Sequence, residues 1–477
     1  MSFYLLLTAE ILLSLVAVGH ALLHKRDSRA ALGWVAVSVV FPFIGPLLYF
    51  VFGINRVRTR AQRLGLRSQW RFDSPHFNPP EQDDDLQLDQ LEASEALRAM
   101  ARVSGAVTGA PLTAGNRLEM LRNGENAYPA MLEAIEGAQR RVFLTTYIFE
   151  TNRTGRRFVD ALAAARTRGV EVRVIIDGIG ELYNCPRAGR LLRRQRVPVA
   201  RFLPPRLYPP AFHINLRNHR KMMAVDGCIG FIGGMNIGDR HLVDDPGRPR
   251  KPVRDLHFKV IGPIVHQLEQ CFAEDWRFCT GRRLDLSPVC HPLAGGSLCR
   301  AIVEGPNEDL DKLSSILGGA IGAARRRIAL MTPYFLPPRG LIGALQTAAL
   351  RGVAVDVILP ERSNLPYVDW ATRNMLWEIL RWGGRVHLQP PPFAHSKLFL
   401  VDGAYAQIGS ANIDPRSLRL NFELNLEIFD PRVAGRIEAF IDETIAGSAR
   451  LTAEELDRRP LPLKLRDAAV WLFTPYL

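Results

Sequence analysis

The chain has 477 residues, 47% of them hydrophobic, with 38 glycines, 33 prolines and 61 Lys plus Arg against 48 Asp plus Glu, a formal charge of +13. At roughly 150 residues per domain, that length predicts about three units. The composition excludes a disordered, collagen-like or disulfide-scaffold protein, and the basic balance favours anionic partners such as a lipid surface or nucleic acid.

The amino-terminal residues 3–23 and 31–53 are two nearly uncharged stretches. Each is long enough as a helix to cross a hydrocarbon core of about 30 Å, so residues 1–55 are predicted to form a transmembrane helical hairpin. Glu10 and His20 interrupt the first stretch. Pro42, Gly45 and Pro46 interrupt the second, which makes a kinked or re-entrant segment the alternative to a straight span. A cleavable signal peptide is disfavoured by the missing basic start and small-residue cleavage site. Lys25, Arg26 and Arg29 lie between the stretches, and Arg56, Arg58, Arg60, Arg63 and Arg67 follow the second. The larger downstream excess places both termini and the large domain in the cytoplasm.

Residues 56–115 read as a juxtamembrane linker with one short helix near 91–103. Its arginines can rest on anionic headgroups at about 1 kcal/mol each, and the run Asp83, Asp84, Asp85 reads as a solvated tether. The six cysteines contain no CxxC pair, so they are expected to be reduced, and no zinc site or other metal is implied.

Beyond the linker the sequence repeats itself. AIEGAQRRVFLTTYIFE (134–150) and FVDALAAARTRGVEVRVIID (158–177) are matched by AIGAARRRIALMTPYFL (320–336) and LIGALQTAALRGVAVDVILP (341–360). Each copy reads as helix, strand, amphipathic helix, a glycine stop (Gly169, Gly352) and a buried strand. The expected fold is therefore α/β with two similar halves, residues 116–300 and 301–477.

Each half ends in the same constellation, HRKMMAVDGCIGFIGGMN from His219 and HSKLFLVDGAYAQIGSAN from His395. Lysine follows histidine by two (Lys221, Lys397) and aspartate follows lysine by five (Asp226, Asp402). Buried His and Lys are costly unless paired with charge, so their repetition points to chemistry. Asp-Gly signals a hairpin turn. With a two-residue loop, Gly234 and Ser410 would face the histidines and leave room for a bound group. Asn236 and Asn412 return to the same face. A His, a Lys and an Asn converging on a gap suit a tetrahedral phosphate. Asp226 and Asp402 have hairpin structure as an alternative to a chemical role. Asp255 and Glu423, downstream of each motif, are the candidates for orienting the imidazoles. His213 and Arg217 are alternatives between headgroup and loop roles, and His257 and His387 read as structural. The apolar end 469–477 reads either as an interfacial segment or as a cap on the core.

The doubled HxKxxxxD pattern, with GGMN and GSAN following, resembles the phospholipase D superfamily. WVAVSVVFPFIGPLLYFVFG, NLRNHRKMMAVDG, GFIGGMNIGD, TPYFLP, RSLRLNFELN and the terminal WLFTPYL resemble its bacterial cardiolipin synthase branch over nearly the whole chain. Val253 stands where an aromatic residue is expected, and residues 244–252 form an atypical loop. The resemblance implies two phospholipase D-like halves in pseudo-twofold arrangement and a multi-pass protein of the bacterial inner membrane. It implies a metal-free, cofactor-free phosphatidyl transfer in which two phosphatidylglycerols give cardiolipin and glycerol through a phosphohistidine. His219 is then the nucleophile and His395 the acid and base, with the reverse assignment open. Lys221, Lys397, Asn236 and Asn412 hold the phosphoryl oxygens. Hydrolysis by the same site is the first alternative. Cleavage of nucleic acid is the second, disfavoured by the membrane segments and by the lack of a basic tract with interleaved aromatics. A catalytically dead scaffold is disfavoured by the two intact motifs. No nucleotide loop of the GxxxxGK type is present.

Overall fold

The computed structural model describes residues 2–25, 28–53, 94–205, 216–245, 247, 251–287, 290, 296–305 and 311–474. Arg26, the arginines at 56–67, the acidic run 83–85, His213, most of 246–250 and residues 475–477 lie outside the described residues. The chain divides into two compact units, Met1–Gly65 and Leu66–Leu477.

In the first unit, helix Ser2–His24 contains the segment Tyr4–His24, long and apolar enough to cross a membrane. Leu5, Leu6, Leu12 and Leu15 are exposed along it. Two such spans were expected, but the second stretch is broken. Helix Ser28–Val40 stops before Pro42, Phe43 takes φ 57°, and a short helix Ile44–Leu48 leads into a π-helical turn Tyr49–Gly53. Proline removes a helical N–H and pushes the residue before it out of the α region, which accounts for the break.

The second unit is built on a 15-stranded sheet. The first half supplies β1 (Thr113–Arg122), β2 (Arg141–Thr146), β3 (Glu171–Asp177), β4 (Val199–Phe202), β5 (Met222–Val225), β6 (Ile229–Gly233), the short β7 (Val253–Arg254) and β8 (Leu256–Ile261). The second half supplies β9 (Ser297–Glu304), β10 (Arg327–Met331), β11 (Ala354–Pro360), β12 (Arg385–Gln389), the short β13 (Phe393–Ala394), β14 (Leu398–Val401), β15 (Tyr405–Gly409), β16 (Glu423–Phe429) and β17 (Ala449–Leu451). From the centre outward the orders are β1-β8-β6-β5-β2-β3-β4 and β9-β16-β15-β14-β10-β11-β12-β17. The halves meet where β1 pairs antiparallel with β9. Each half therefore runs through the same topology to three parallel strands, and the second half adds β17 antiparallel to β12 at its edge.

The repeat explains this. β2 and β10 are apolar strands feeding the amphipathic helices Arg153–Thr167 and Arg339–Leu350, and parallel strands need such crossovers to cover their faces. Both helices stop at glycines with φ of 93° and 87°, the left-handed conformation that glycine takes without steric cost. Each half has its own core, one around Phe149, Phe158 and Phe231, the other around Phe335, Ile358's neighbour Val357, and Tyr405.

Three details add to the expected picture, and one of them, the disulfide, overturns it. The linker is folded by residue 94: Ser94 caps helix Glu95–Thr108, whose Met100 and Ala101 join the core of the second half and whose Ser104 hydroxyl donates to Glu427 Oε1 at 2.8 Å. Cys228 and Cys290 form a disulfide, their Cα atoms 4.9 Å apart across 62 residues of sequence, a proximity that spacing alone does not reveal. Cys185, Cys271, Cys279 and Cys299 are not joined in disulfides. Helix Leu461–Trp471 packs Val470 and Trp471 against the second core while Leu472 and Phe473 stay exposed.

Candidate active site

The two histidines come together because each half reaches into the other. Residues 217–219 run beside Phe422 in a parallel bridge: Phe422 N–H donates to Arg217 O at 2.8 Å and His219 N–H to Phe422 O at 2.9 Å. β13 runs parallel to β7 in the same way, and His395 N–H donates to Arg254 O at 2.8 Å. Each bridge sets a histidine one residue from an acid of the opposite half. His219 Nδ1 lies 3.1 Å from both Oε1 and Oε2 of Glu423. His395 Nδ1 lies 2.9 Å from Asp255 Oδ2. The pairing is thus crosswise. With Nδ1 donating to a carboxylate, each imidazole keeps its Nε2 lone pair for chemistry.

Lys221 and Lys397 are buried, and their Nζ atoms donate to the carbonyls of His219 and His395 at 2.6 and 2.5 Å. Burial drives Lys221 well below the usual lysine range and Lys397 down to about 8, with Glu423 and Asp255 opposing the shift in both. Burial also lowers both histidines. Glu423 opposes this at His219, whereas Lys397 and Lys221 deepen it at His395. Burial works against the Glu423 charge, but His219, Lys221 and the Ser410 hydroxyl hold its carboxyl below the usual range. The free site near neutral pH accordingly holds neutral imidazoles beside ionised Glu423.

Asp226 and Asp402 are not brought to the histidines. Each accepts three backbone N–H bonds at the far end of its hairpin, from Gln139, Arg140 and Arg141 at 2.7–2.9 Å and from Arg325, Arg326 and Arg327 at 2.7–2.8 Å. Both sit at positive φ, 53° and 54°, in turns that span three residues because Val225 pairs with Ile229 and Val401 with Tyr405. The longer turn shifts the register, so Gly234 and Ser410 leave no gap for a ligand. A Cβ at Gly234 would stand 2.7 and 2.8 Å from the Asp255 carboxylate oxygens, and Ser410 Oγ donates to Glu423 Oε2 at 2.6 Å. These small residues make room for, and hold, the orienting acids.

Asn236 Oδ1 accepts from Ile148 N–H at 3.0 Å, whereas Asn412 Oδ1 is buried with no hydrogen-bond partner among the described residues. Arg217 meets the buried Asp177 at 2.8–3.0 Å, a contact that fits the loop role. His387 Nε2 bonds Asp356 Oδ1 at 2.9 Å. His257 is buried, and burial lowers it to about 4. Val253 pairs with Phe393 across the β7–β13 bridge, and the Phe393 ring lies 6.0 Å from His395.

Sequence reasoning missed the tyrosines that wall the site. The Tyr147 ring lies 5.4 Å from the His219 ring and 5.6 Å from Lys221 Nζ, and the Tyr334 ring lies 6.5 Å from His395. Their signal was their place at the ends of β2 and β10 in TTYIF and TPYFL. It also missed Arg220, which donates to Glu423 O at 3.1 Å and to Asp275 at 2.5 Å, fixing the acid's backbone.

The family described as "Cardiolipin synthase, PLD-like domain" matches residues 131–276 and 317–445, one match in each half, and "Phospholipase_D-nuclease N-terminal" matches residues 12–53. Cardiolipin synthase A of Pseudomonas aeruginosa (strain LESB58) is 34% identical over 468 residues, covering 95% of this chain and 92% of the relative. The chain belongs to the cardiolipin synthase family. Cardiolipin synthase A of Pseudomonas putida (strain GB-1) is 33% identical, covering 93% of this chain and 92% of the relative. The crystal structure of a phosphatidylserine synthase from Haemophilus influenzae Rd KW20 superposes on 80% of this chain and 100% of its own with a TM-score of 0.61 at 16% identity, a likeness of fold. The two family matches and the apolar amino terminus make the chain a membrane-associated enzyme of the phospholipase D superfamily.

Proposed function

We propose that this chain condenses two phosphatidylglycerols to cardiolipin and glycerol through a covalent phosphatidyl-histidine. His219 Nε2 attacks phosphorus in line, the P–N bond forms, and the P–O bond to the leaving glycerol breaks as His395 donates a proton to its oxygen. His395, now a base, takes the proton from a hydroxyl of the second phosphatidylglycerol, whose oxygen displaces His219. The observation that carries this reading is the crosswise pair of imidazoles, each oriented by a carboxylate of the other half, with a buried lysine bonded to each histidine's carbonyl. The lysines neutralise the diester; burial first and the positive neighbours second keep His395 neutral in the free site, and the negative diester offsets both, so the acid's proton is held once substrate is bound. Asn412, its Oδ1 without a protein partner, is free to turn its amide NH₂ toward a phosphoryl oxygen.

The membrane is the source of the substrate, and the basic flanks favour the cytoplasmic face for the catalytic unit. The reaction itself is tested with purified protein in phosphatidylglycerol liposomes, without nucleotide. Mass spectrometry should find cardiolipin and glycerol in equal amounts, both lost in His219→Ala and His395→Ala. Phosphatidic acid in place of cardiolipin would make the chain a hydrolase.

A further inference from the structure

The first helix is 23 residues long, about 34 Å at 1.5 Å per residue, enough to cross a hydrocarbon core of about 30 Å. Helix Ser28–Val40 has 13 residues, about 20 Å, and falls short. It runs back along the first helix, with Ser14 Oγ donating to Ser38 O at 2.9 Å. The chain then turns at Pro42 and Phe43, and Gly45 lies so close to Val37 that a Cβ there would stand 2.1 Å from its carbonyl oxygen. From that point it returns. The Tyr49 hydroxyl meets His20 Nδ1 at 2.7 Å, its ring packs 5.3 Å from Trp34, and Gly53 O accepts from Lys25 Nζ at 2.7 Å. Residues 14, 20 and 25 of the first helix and its end are thus met in turn by 38, 49 and 53.

We propose that the second apolar stretch is a re-entrant hairpin, so that the chain crosses the bilayer once and presents both basic flanks to one anionic leaflet. The turn is compatible with a lipid interior because its backbone groups are bonded within it: Gly45 N–H donates to Phe41 O at 2.8 Å and Leu47 N–H to Phe43 O at 3.1 Å. The charge pattern supports it independently. Two spans would divide Lys25, Arg26 and Arg29 from Arg56, Arg58, Arg60, Arg63 and Arg67, leaving one basic cluster on the wrong side. A re-entrant hairpin gathers all eight on a single face, each worth about 1 kcal/mol against acidic headgroups. Residues 54–93 contain no apolar run long enough to cross again, so the catalytic unit stays on that face, opposite residue 1.

The test uses the full chain in cells, with one epitope tag at residue 1 and another after residue 477. Access of protease to each tag is compared in right-side-out and inverted membrane vesicles, and cardiolipin formation in the same vesicles shows that the enzyme is folded, whatever its topology. The proposal expects the tags on opposite faces, the carboxyl-terminal one exposed with the basic flanks. Tags on the same face would overturn it. A triple variant, Pro42→Leu with Gly45→Leu and Pro46→Leu, removes the breakers and is expected to bring both tags to one face; tags still opposed in that variant would show that the turn does not set the topology.

Discussion

The two halves share one topology and one motif but solve the placement of their acids differently. In the first half the acid is short, and Gly234 lets the Asp255 carboxylate occupy the volume a side chain would take. In the second half the acid is one methylene longer, and Ser410 fastens Glu423 by a 2.6 Å hydrogen bond. Since each acid serves the histidine of the other half, neither half is an active site by itself. The repeat preserves the scaffold and the buried lysines, while the unlike acids hold the two imidazoles differently: Glu423 meets His219 with both oxygens and opposes the lowering that burial and the two lysines impose on it, whereas Asp255 meets His395 through one oxygen, and burial with the same two lysines drives His395 well below the usual histidine range.

The comparison breaks most completely at the histidines. His219→Ala and His395→Ala should each lower phosphatidyl transfer by at least about 10⁴-fold. With a phosphatidyl substrate carrying an activated nitrophenolate leaving group, His395→Ala should still release nitrophenol in a burst, because no proton donor is needed, and His219→Ala should not. Equal behaviour of the two variants would remove the difference in role. Next come the acids: Glu423→Gln and Asp255→Asn should each lower kcat by roughly 10²- to 10⁴-fold by unsettling the tautomer of the opposite half's histidine.

The pH profile sharpens the comparison at the lysines. With Lys397 lowered to about 8 by burial, its charge is lost as pH rises through that value, so kcat/KM should fall above about pH 8. Lys397→Arg, which stays charged, should move that limb to higher pH at reduced rate. For stability the sign is opposite. A lysine whose folded value lies below its unfolded value of about 10.4 binds fewer protons folded than unfolded between the two, so stability contributed by this site rises with pH across that window.

The acid shells can be exchanged. Gly234→Ser should cost about 10²-fold in kcat because its side chain enters the Asp255 carboxylate, whereas Ser410→Gly removes one hydrogen bond, worth about 1.5–3 kcal/mol to a charged acceptor, and should cost about 10-fold. The smallest catalytic effect belongs to the turns. Asp226→Ala and Asp402→Ala should lower stability by about 1–3 kcal/mol, read from denaturant midpoints in detergent, with kcat changing far less.

Much of this was legible in the residues. The repeat around β2 and β10, the glycine stops and both His-Lys pairs follow from spacing, and Asp255 and Glu423 stand out as the acids after each motif. The crosswise pairing was not legible, because it depends on the bridges Asn218 to Phe422 and Ala394 to Arg254, which lie 140 to 204 residues apart in sequence and are set by the assembled sheet. The roles of Gly234 and Ser410 were hidden by a single residue of turn length: a three-residue loop after Val225 and Val401 moves every facing position by one. Helix Glu95–Thr108 was legible as a short helix near 91–103, but its place in the core was not, because its buried face, Met100, Ala101 and Ser104, is narrow and its partner core lies some 200 residues downstream.

The proposed transfer passes through a covalent adduct on His219 inside a site made by both halves. Rapid acid-free quenching of the enzyme with phosphatidylglycerol, followed by peptide mass spectrometry, tests it directly. The account predicts a phosphatidyl adduct on the peptide containing His219, absent in His219→Ala and accumulating in a variant such as Asp255→Asn, where the second transfer is slowed. An adduct on His395, or turnover to cardiolipin with no adduct on either histidine, would contradict it.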